Sequence, residues 1–181
     1  MKTILGFGAS SMYGSNDSQG GFLRRMELIL NQNEQHFKFV NQGVRGNTTR
    51  EMIARVSEAE KCNADQSIVL LGCNDMPRKN EQATSQRSSL EEYAENLEIL
   101  FQRLPGQKNI FITSFYSEWV EEDLFSQYMK IALQKAKKYR YEIWDLYHES
   151  KPFLSQYVDS DLLHFNDAGH QYISETLLKR L

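Results

Sequence analysis

The chain has 181 residues, of which 40% are apolar and 25% charged, and its net charge is −3. That suits one soluble globular domain spanning residues 1–181. Lys and Arg are scattered along the chain, so there is no electrostatic case for nucleic-acid binding, and no apolar run approaches the roughly 20 residues that cross a bilayer.

Met1-Lys2-Thr3 leads straight into an apolar stretch without the pattern of a secretory signal, so a cytoplasmic location is expected. In that reducing compartment Cys62 and Cys73 are expected as buried small apolar residues rather than a disulfide. Neither has a Cys or His at zinc-site spacing.

Residues 3–5 read as a short buried strand. The turn that follows carries Gly6, Gly8 and Gly14, which let the backbone bend tightly and other groups come close. Ser10 and Ser11 stand where the strand hands over to a helix. A serine there is a nucleophile, a phosphate-binding hydroxyl or a helix cap. Gly6-x-Gly8 begins like a dinucleotide fingerprint, but Ser11 replaces the third Gly or Ala, and Asn41 and Gln42 stand where an acidic residue should end the second strand. The Gly-Lys-Ser/Thr of a Walker loop is absent.

A polar stretch over 15–21 precedes a helix at 22–30. A second strand at 36–40 ends in a glycine-punctuated loop over 41–49. Asn47 or Thr48 then caps a helix running through Val56. The apolar run at 67–72 is the clearest strand and suits a central parallel position covered on both faces. A loop from Cys73 to Pro77 is extended by the polar stretch from Arg78 to Ser88. The next helix bears Leu90, Tyr93, Leu97, Leu100, Phe101 and Leu104 on one stripe and stops at Pro105-Gly106. A strand at 109–113, a helix at 121–138 and a short strand at 141–145 follow. An irregular segment containing Pro152 ends at Phe165, and Asn166-Asp167 caps a terminal helix. Strands alternating with helices imply right-handed crossovers and a parallel sheet with helices on both faces.

In such a sheet every strand-to-helix loop falls on one edge. Ser10, Gly46 and Asn74 follow strands one, two and three, while Asp161 and His164 precede the last helix. Serine needs a base to take its proton, histidine is the usual base, and a carboxylate fixes the imidazole tautomer. Asp161 and His164 are three apart, so one turn puts them on the same side. The Ser10 and Gly46 N–H groups and the Asn74 amide are candidate donors to an oxyanion. Asp161, His164 and His170 do not make a convincing metal site, because His164 and His170 are six apart and do not share a helix face. His170 is expected on the last helix, and His36 and His148 as ordinary strand-start and loop residues.

Together these residues resemble the SGNH, or GDSL-like, hydrolases. Phe7-Gly8-Ala9-Ser10-Ser11 with Gly14 resembles the opening Gly-Asp-Ser block, whose Ser is the nucleophile. The stretch from Asn41 to Thr48 resembles the second block, with Gly46 rather than Gly43 as the oxyanion glycine. Gly72-Cys73-Asn74-Asp75 matches Gly-x-Asn-Asp, whose Asn is an oxyanion donor, and Asp161-Leu162-Leu163-His164 matches the final Asp-x-x-His. Ala9 departs from the family's Asp and removes a carboxylate that helps hold the turn.

The resemblance implies an α/β fold, a three-layer α/β/α sandwich on a five-stranded parallel flavodoxin-like sheet. It also implies hydrolysis of a carboxylic ester or thioester through an acyl-serine, with Ser10 as nucleophile, His164 as base and Asp161 orienting it. No metal or organic cofactor is needed, and the expected partner is a small-molecule ester or acylated substrate. Met12, Tyr13, Phe115, Tyr116, Trp119 and Phe165 lie in or beside the loops, as an acyl pocket, as sugar-stacking rings or as core. The alternative is a non-catalytic flavodoxin-like module that binds an anion or nucleotide through backbone N–H groups at Ser10 and the Gly46 loop.

Overall fold

The computed structural model describes residues 1–33, 36–79 and 87–181. Part of the polar stretch read as extending the third loop, residues 80–86, lies outside the described residues. Five parallel strands form the sheet: β1 (Lys2–Gly8), β2 (Phe37–Gly43), β3 (Gln66–Leu70), β4 (Ile110–Ile112) and β5 (Glu142–Trp144). Their order is β2-β1-β3-β4-β5, the flavodoxin-like arrangement expected. The winding reverses between β1 and β3, and open α/β sheets bind ligands beyond the carboxyl ends of the strands at such a switch point.

Side chains alternate across each strand and supply a core on either face. Leu5, Phe7, Val69 and Phe111 pack with Tyr93, Leu97 and Phe101 from α5 (Leu90–Arg103) and Phe125 and Tyr128 from α6 (Glu122–Lys138). Their strand neighbours Ile4, Ile68, Leu70, Ile110 and Ile112 pack on the other face. There they meet Phe22, Leu23 and Met26 of α2 (Phe22–Gln32) and Ile173 and Leu177 of the C-terminal helix (Asp167–Leu178). Among the described residues no helix is long and apolar enough to cross a membrane.

Several elements differ from the sequence reading. A one-turn helix, α1 (Ser10–Tyr13), follows β1 directly, with Ala9 rather than a serine at its N-cap position. The helix expected through Val56 is two, α3 (Thr49–Ala54) and α4 (Val56–Lys61), because Arg55 leaves helical geometry at φ −115° and ψ 7°. Thr48, one of the two expected caps, closes α3 in a capping box in which Glu51 accepts the Thr48 N–H at 2.7 Å. The segment read as irregular holds α7 (Leu146–Ser150), a 3₁₀ turn (Lys151–Phe153) and α8 (Leu154–Tyr157). Helices this short show too little of a 3.6-residue period to be read from sequence. His148 therefore lies on α7, not in a loop, and its Nδ1 is 2.7 Å from Asp145 Oδ2. The C-terminal helix is α9. Both cysteines are free, but only Cys73 is buried; Cys62 is half-buried and its thiol faces Gln42 Nε2 at 3.2 Å.

The ends of β1 and β2 carry Gly8 and Gly43 in register, and α1 lies against both. A Cβ on Gly43 would lie 2.1 Å from Tyr13 N and 2.6 Å from Met12 C, and one on Gly8 would lie 2.2 Å from the Leu70 carbonyl oxygen. Gly43 is thus fixed by backbone packing. Gly43→Ala is expected to destabilise the protein by roughly 1–3 kcal/mol, read as a lower midpoint in urea; an unchanged midpoint would refute this account of the β2–α1 contact.

Candidate active site

Ser10 opens α1 directly after β1. Ala9 O accepts the Tyr13 N–H at 2.9 Å, and Ser10 O accepts the Gly14 and Ser15 N–H groups at 3.1 Å, so the turn closes over a single residue step. Gly14 ends it at φ +95°, and a Cβ there would lie 2.7 Å from Gly20 backbone atoms. The Ser10 hydroxyl makes no hydrogen bond among the described residues, so it does not cap the helix. With Ala9 in place of a carboxylate, other groups hold the turn. Arg55 donates to Gly8 O at 2.9 Å, and Asn41 donates to Met12 O at 3.0 Å.

Gly46 follows β2 at φ +75°, a left-handed conformation suited to glycine, and a Cβ there would meet nothing within 4 Å. Its requirement is conformational, since the space where a Cβ would stand is open. Asn74 follows β3, and its Nδ2 donates to Asn47 O at 3.0 Å. That bond joins the second and third loops and uses one of the two amide hydrogens. The Asn74 carbonyl in turn accepts from Arg87 at 2.7 Å.

Beside it, Asp75 is a buried carboxylate that the sequence reading quoted only as part of a motif. It accepts the Thr49 N–H at 3.0 and 3.1 Å, the Thr49 hydroxyl at 2.6 Å and the Ser88 hydroxyl at 2.7 Å. Burial pushes its pKa up, against the lowering effect of these bonds. Two threonines opening a helix, two and three residues beyond Gly46, were the available sign that a helix N-terminus would need an anchor there.

Asp161 and His164 meet in a tight turn rather than a helix, with Leu162 at φ +54°. Asp161 Oδ1 accepts the Leu163 and His164 N–H groups at 2.8 and 2.9 Å, and Oδ2 lies 2.7 Å from His164 Nδ1. Burial works to raise the Asp161 pKa, but the bonds from the His164 ring and from these N–H groups outweigh it and hold the carboxyl below its ordinary range. The loop after β4 braces this turn: Trp119 Nε1 donates to Asp161 O at 3.0 Å and Ser117 Oγ to Leu162 O at 3.2 Å. Asn16, which the sequence reading did not single out, donates to Asp159 at 2.9 Å and to Asp161 at 3.1 Å.

Ser10, Gly46, Asn74 and His164 line one cleft of about 220 Å³, and Arg45 and Arg78 line it with them. No hydrogen bond joins Ser10 Oγ to His164 among the described residues. Catalytic hydrogen bonds are often long in a ligand-free site and tighten when substrate binds. His170 stays outside. It is fully buried on α9, with Nε2 3.1 Å from Ser15 O and its ring stacked on Phe22. Asn166 alone caps α9, accepting the Gly169 N–H at 2.9 Å. Asp167 instead accepts the Ser18 N–H at 2.8 Å, and its bonds from Ser18 push its pKa down to about 2. Of the aromatic and Met candidates, Met12, Phe115 and Phe165 are core, Tyr116 is half-buried, and only Tyr13 and Trp119 are exposed. Among the described residues no group of His, Cys, Asp and Glu is arranged to hold a metal ion.

The fold and this arrangement can be set beside known proteins. The GDSL-like lipase/acylhydrolase family matches residues 6–172. Among solved structures, a lipase/acylhydrolase from Enterococcus faecalis is similar at 19% identity and a TM-score of 0.85, over 99% of this chain and 95% of that one. A variant of an acetyl xylan esterase from Geobacillus stearothermophilus is similar at 21% identity and 0.81, over 98% and 93%. A psychrotrophic esterase from Pseudoalteromonas sp. is similar at 13% identity and 0.77, over 99% and 96%. At these identities the structural likeness speaks for the fold. Comparison with curated proteins gives no match. The family match decides against a non-catalytic nucleotide-binding module: the chain belongs to the GDSL-like lipase/acylhydrolase family, and with it to the carboxylic ester hydrolases.

Proposed function

We propose that the protein hydrolyses a carboxylic ester with a small acyl group through an acyl-serine at Ser10. The observation that carries this reading is the 2.7 Å contact between His164 Nδ1 and Asp161, made at the edge of a cleft that also holds Ser10, Gly46 and Asn74. With Asp161 ionised and accepting, Nδ1 carries the ring proton and Nε2 presents a lone pair. His164 then takes the Ser10 hydroxyl proton as Oγ bonds to the ester carbonyl carbon. The negative charge that develops on the carbonyl oxygen is met by the Ser10 and Gly46 N–H groups and the second amide hydrogen of Asn74. His164 returns the proton to the departing alcohol as the C–O bond breaks. Water repeats the sequence on the acyl-serine and regenerates Ser10.

The size and lining of the cleft support a short acyl group. Leu163 is its one apolar side chain among the described lining residues, and Phe115 and Phe165, two of the rings beside the site loops, belong to the core. One of the similar structures is an acetyl xylan esterase, which agrees with an acetyl-sized group. The two free thiols agree with a cytoplasmic location.

A fluorophosphonate probe read by intact mass and peptide mapping tests the nucleophile. One adduct on Ser10, lost in His164→Ala, is expected. Ser10→Ala and His164→Ala should each lower kcat on a short-chain ester by about 10⁴-fold or more, and near-normal turnover of purified Ser10→Ala would sink the mechanism.

Asp161 has its own signature in acid. Folding holds its carboxyl below the ordinary 3.8, so the ionised form stabilises the folded protein above that pH. That contribution is lost as pH falls through the lower, folded value. Asp161→Asn should therefore flatten the acid limb of a Tm-versus-pH curve below about pH 4. An acid limb as steep as that of the unmodified protein would contradict the assignment.

A further inference from the structure

His170 is fully buried on α9, and no step of the reaction at Ser10 uses it. Its Nε2 lies 3.1 Å from Ser15 O. A carbonyl oxygen only accepts, so Nε2 carries the ring proton and Nδ1 the lone pair. Burial pushes the ring pKa below its ordinary value and favours this neutral form, with Asp17, Arg25 and Asp167 as the charged groups that act on it. Nδ1 has no partner among the described residues. A buried acceptor left unpaired is unfavourable, and a leucine would fill the same space without one. Packing alone therefore does not account for an imidazole here; the bond to Ser15 does.

The ring of His170 reaches both halves of the site. It stacks on Phe22 of α2, and it packs at a steep angle against Phe165, the residue after His164, with centroids 5.6 Å apart. On the nucleophile side, the Ser15 N–H donates to Ser10 O at 3.1 Å. Ser15 and Asn16 line the cleft with Ser10 and His164, and Asn16 donates to Asp161 at 3.1 Å. The bonds of Asp17 to Arg25 and of Ser18 to Asp167 hold the segment farther along the chain. No hydrogen bond joins Ser10 Oγ to His164 among the described residues, so the frame behind the two sets their separation. A misplacement of about 1 Å can cost such a reaction roughly 10²-fold, even when its cause lies away from the reacting atoms.

We propose that His170 is a positioning residue for the reaction: its Nε2–H bond to the Ser15 carbonyl holds the Ser10 turn at the separation from His164 that proton transfer needs. This rests on the reading of Ser10 as the nucleophile and His164 as its base. His170 touches neither substrate nor reacting atoms. It acts through Ser15 on Ser10, and through the neighbouring Asn16 on Asp161.

The test uses three variants of the full chain, well below their melting midpoints. His170→Leu fills the space and removes the donor. His170→Gln puts an amide N–H near the place of Nε2, and His170→Asn puts one a methylene short of it. Two quantities are read: kcat and KM on 4-nitrophenyl acetate, and the rate at which a fluorophosphonate labels Ser10. His170→Leu should lower kcat and the labelling rate together by about tenfold or more, with KM changed by less than about twofold. His170→Gln should recover most of both rates. A folded His170→Leu that turns over and labels like the unmodified protein would overturn the proposal, whatever its Tm. So would a His170→Gln as slow as His170→Leu, because the ring's packing and not its bond would then be what matters. If His170→Leu does not fold, the two amides decide: His170→Asn should be slow where His170→Gln is not, and equal rates would count against the bond. Turnover and a Ser10 adduct in the unmodified protein uphold the underlying reading in each of these cases. Absence of both there would overturn the two together.

Discussion

The second and third loops depend on a carboxylate that does not touch the cleft. Asp75 is buried beneath them, and its oxygens are filled by the Thr49 N–H, the Thr49 hydroxyl and the Ser88 hydroxyl. Asn96 adds a bond to the same Thr49 hydroxyl at 2.9 Å. A buried charge without such donors is strongly unfavourable, so the loops are held where the donors converge. Gly46 and Asn74 sit just outside this knot, and the Asn74–Asn47 bond closes it toward the cleft. The positions of the proposed oxyanion donors therefore follow from satisfying Asp75. A removed donor costs more than the bond it made, because the carboxylate stays buried.

The first loop is held in another way. Ala9 supplies no carboxylate, and Arg55 links the strand ends instead. It donates to Gly8 O, Gln42 O and Asn47 Oδ1 at 2.8–2.9 Å, and its face lies 4.3 Å from the Phe7 ring centroid. Burial lowers its pKa, but an arginine stays charged throughout the physiological range. A fixed positive charge thus lies beside the loop that carries Gly46. Its three bonds tie β1, β2 and the Gly46 loop into one unit.

The stretch over 15–21 reads as polar and works as a clamp. Asp17 is fully buried against Arg25, Ser18 binds Asp167, the Ser15 carbonyl faces His170, and Asn16 reaches Asp159 and Asp161. These contacts join the Ser10 turn to the C-terminal segment across most of the chain length. The loop after β4 adds Ser117 and Trp119 from the other side. The Asp161–His164 turn is therefore held from two directions, which agrees with the left-handed Leu162 it contains: a non-glycine residue keeps that conformation only where its surroundings enforce it.

The α/β class, the parallel sheet and the sheet edge that carries the candidate residues are all written in local patterns of the chain. Runs such as 67–72 and stripes such as Tyr93, Leu97 and Phe101 are local patterns, and each directly encodes which face is buried. That Ser10, Gly46, Asn74 and His164 would gather at one edge, with Asp161 beside His164, was legible for a related reason: each stands at a fixed offset from a strand end or a helix start, and short motifs carry that offset. The assembled fold adds that Ser10 leaves its own helix uncapped, that Asn74 spends one amide hydrogen on Asn47, that Asp75 anchors Thr49 and that Arg45 and Arg78 share the cleft with Ser10. These are pairings between residues tens of positions apart, and no spacing along the chain specifies them. They arise when the sheet order brings the β1, β2 and β3 loops together and each buried polar group takes the partner it finds there.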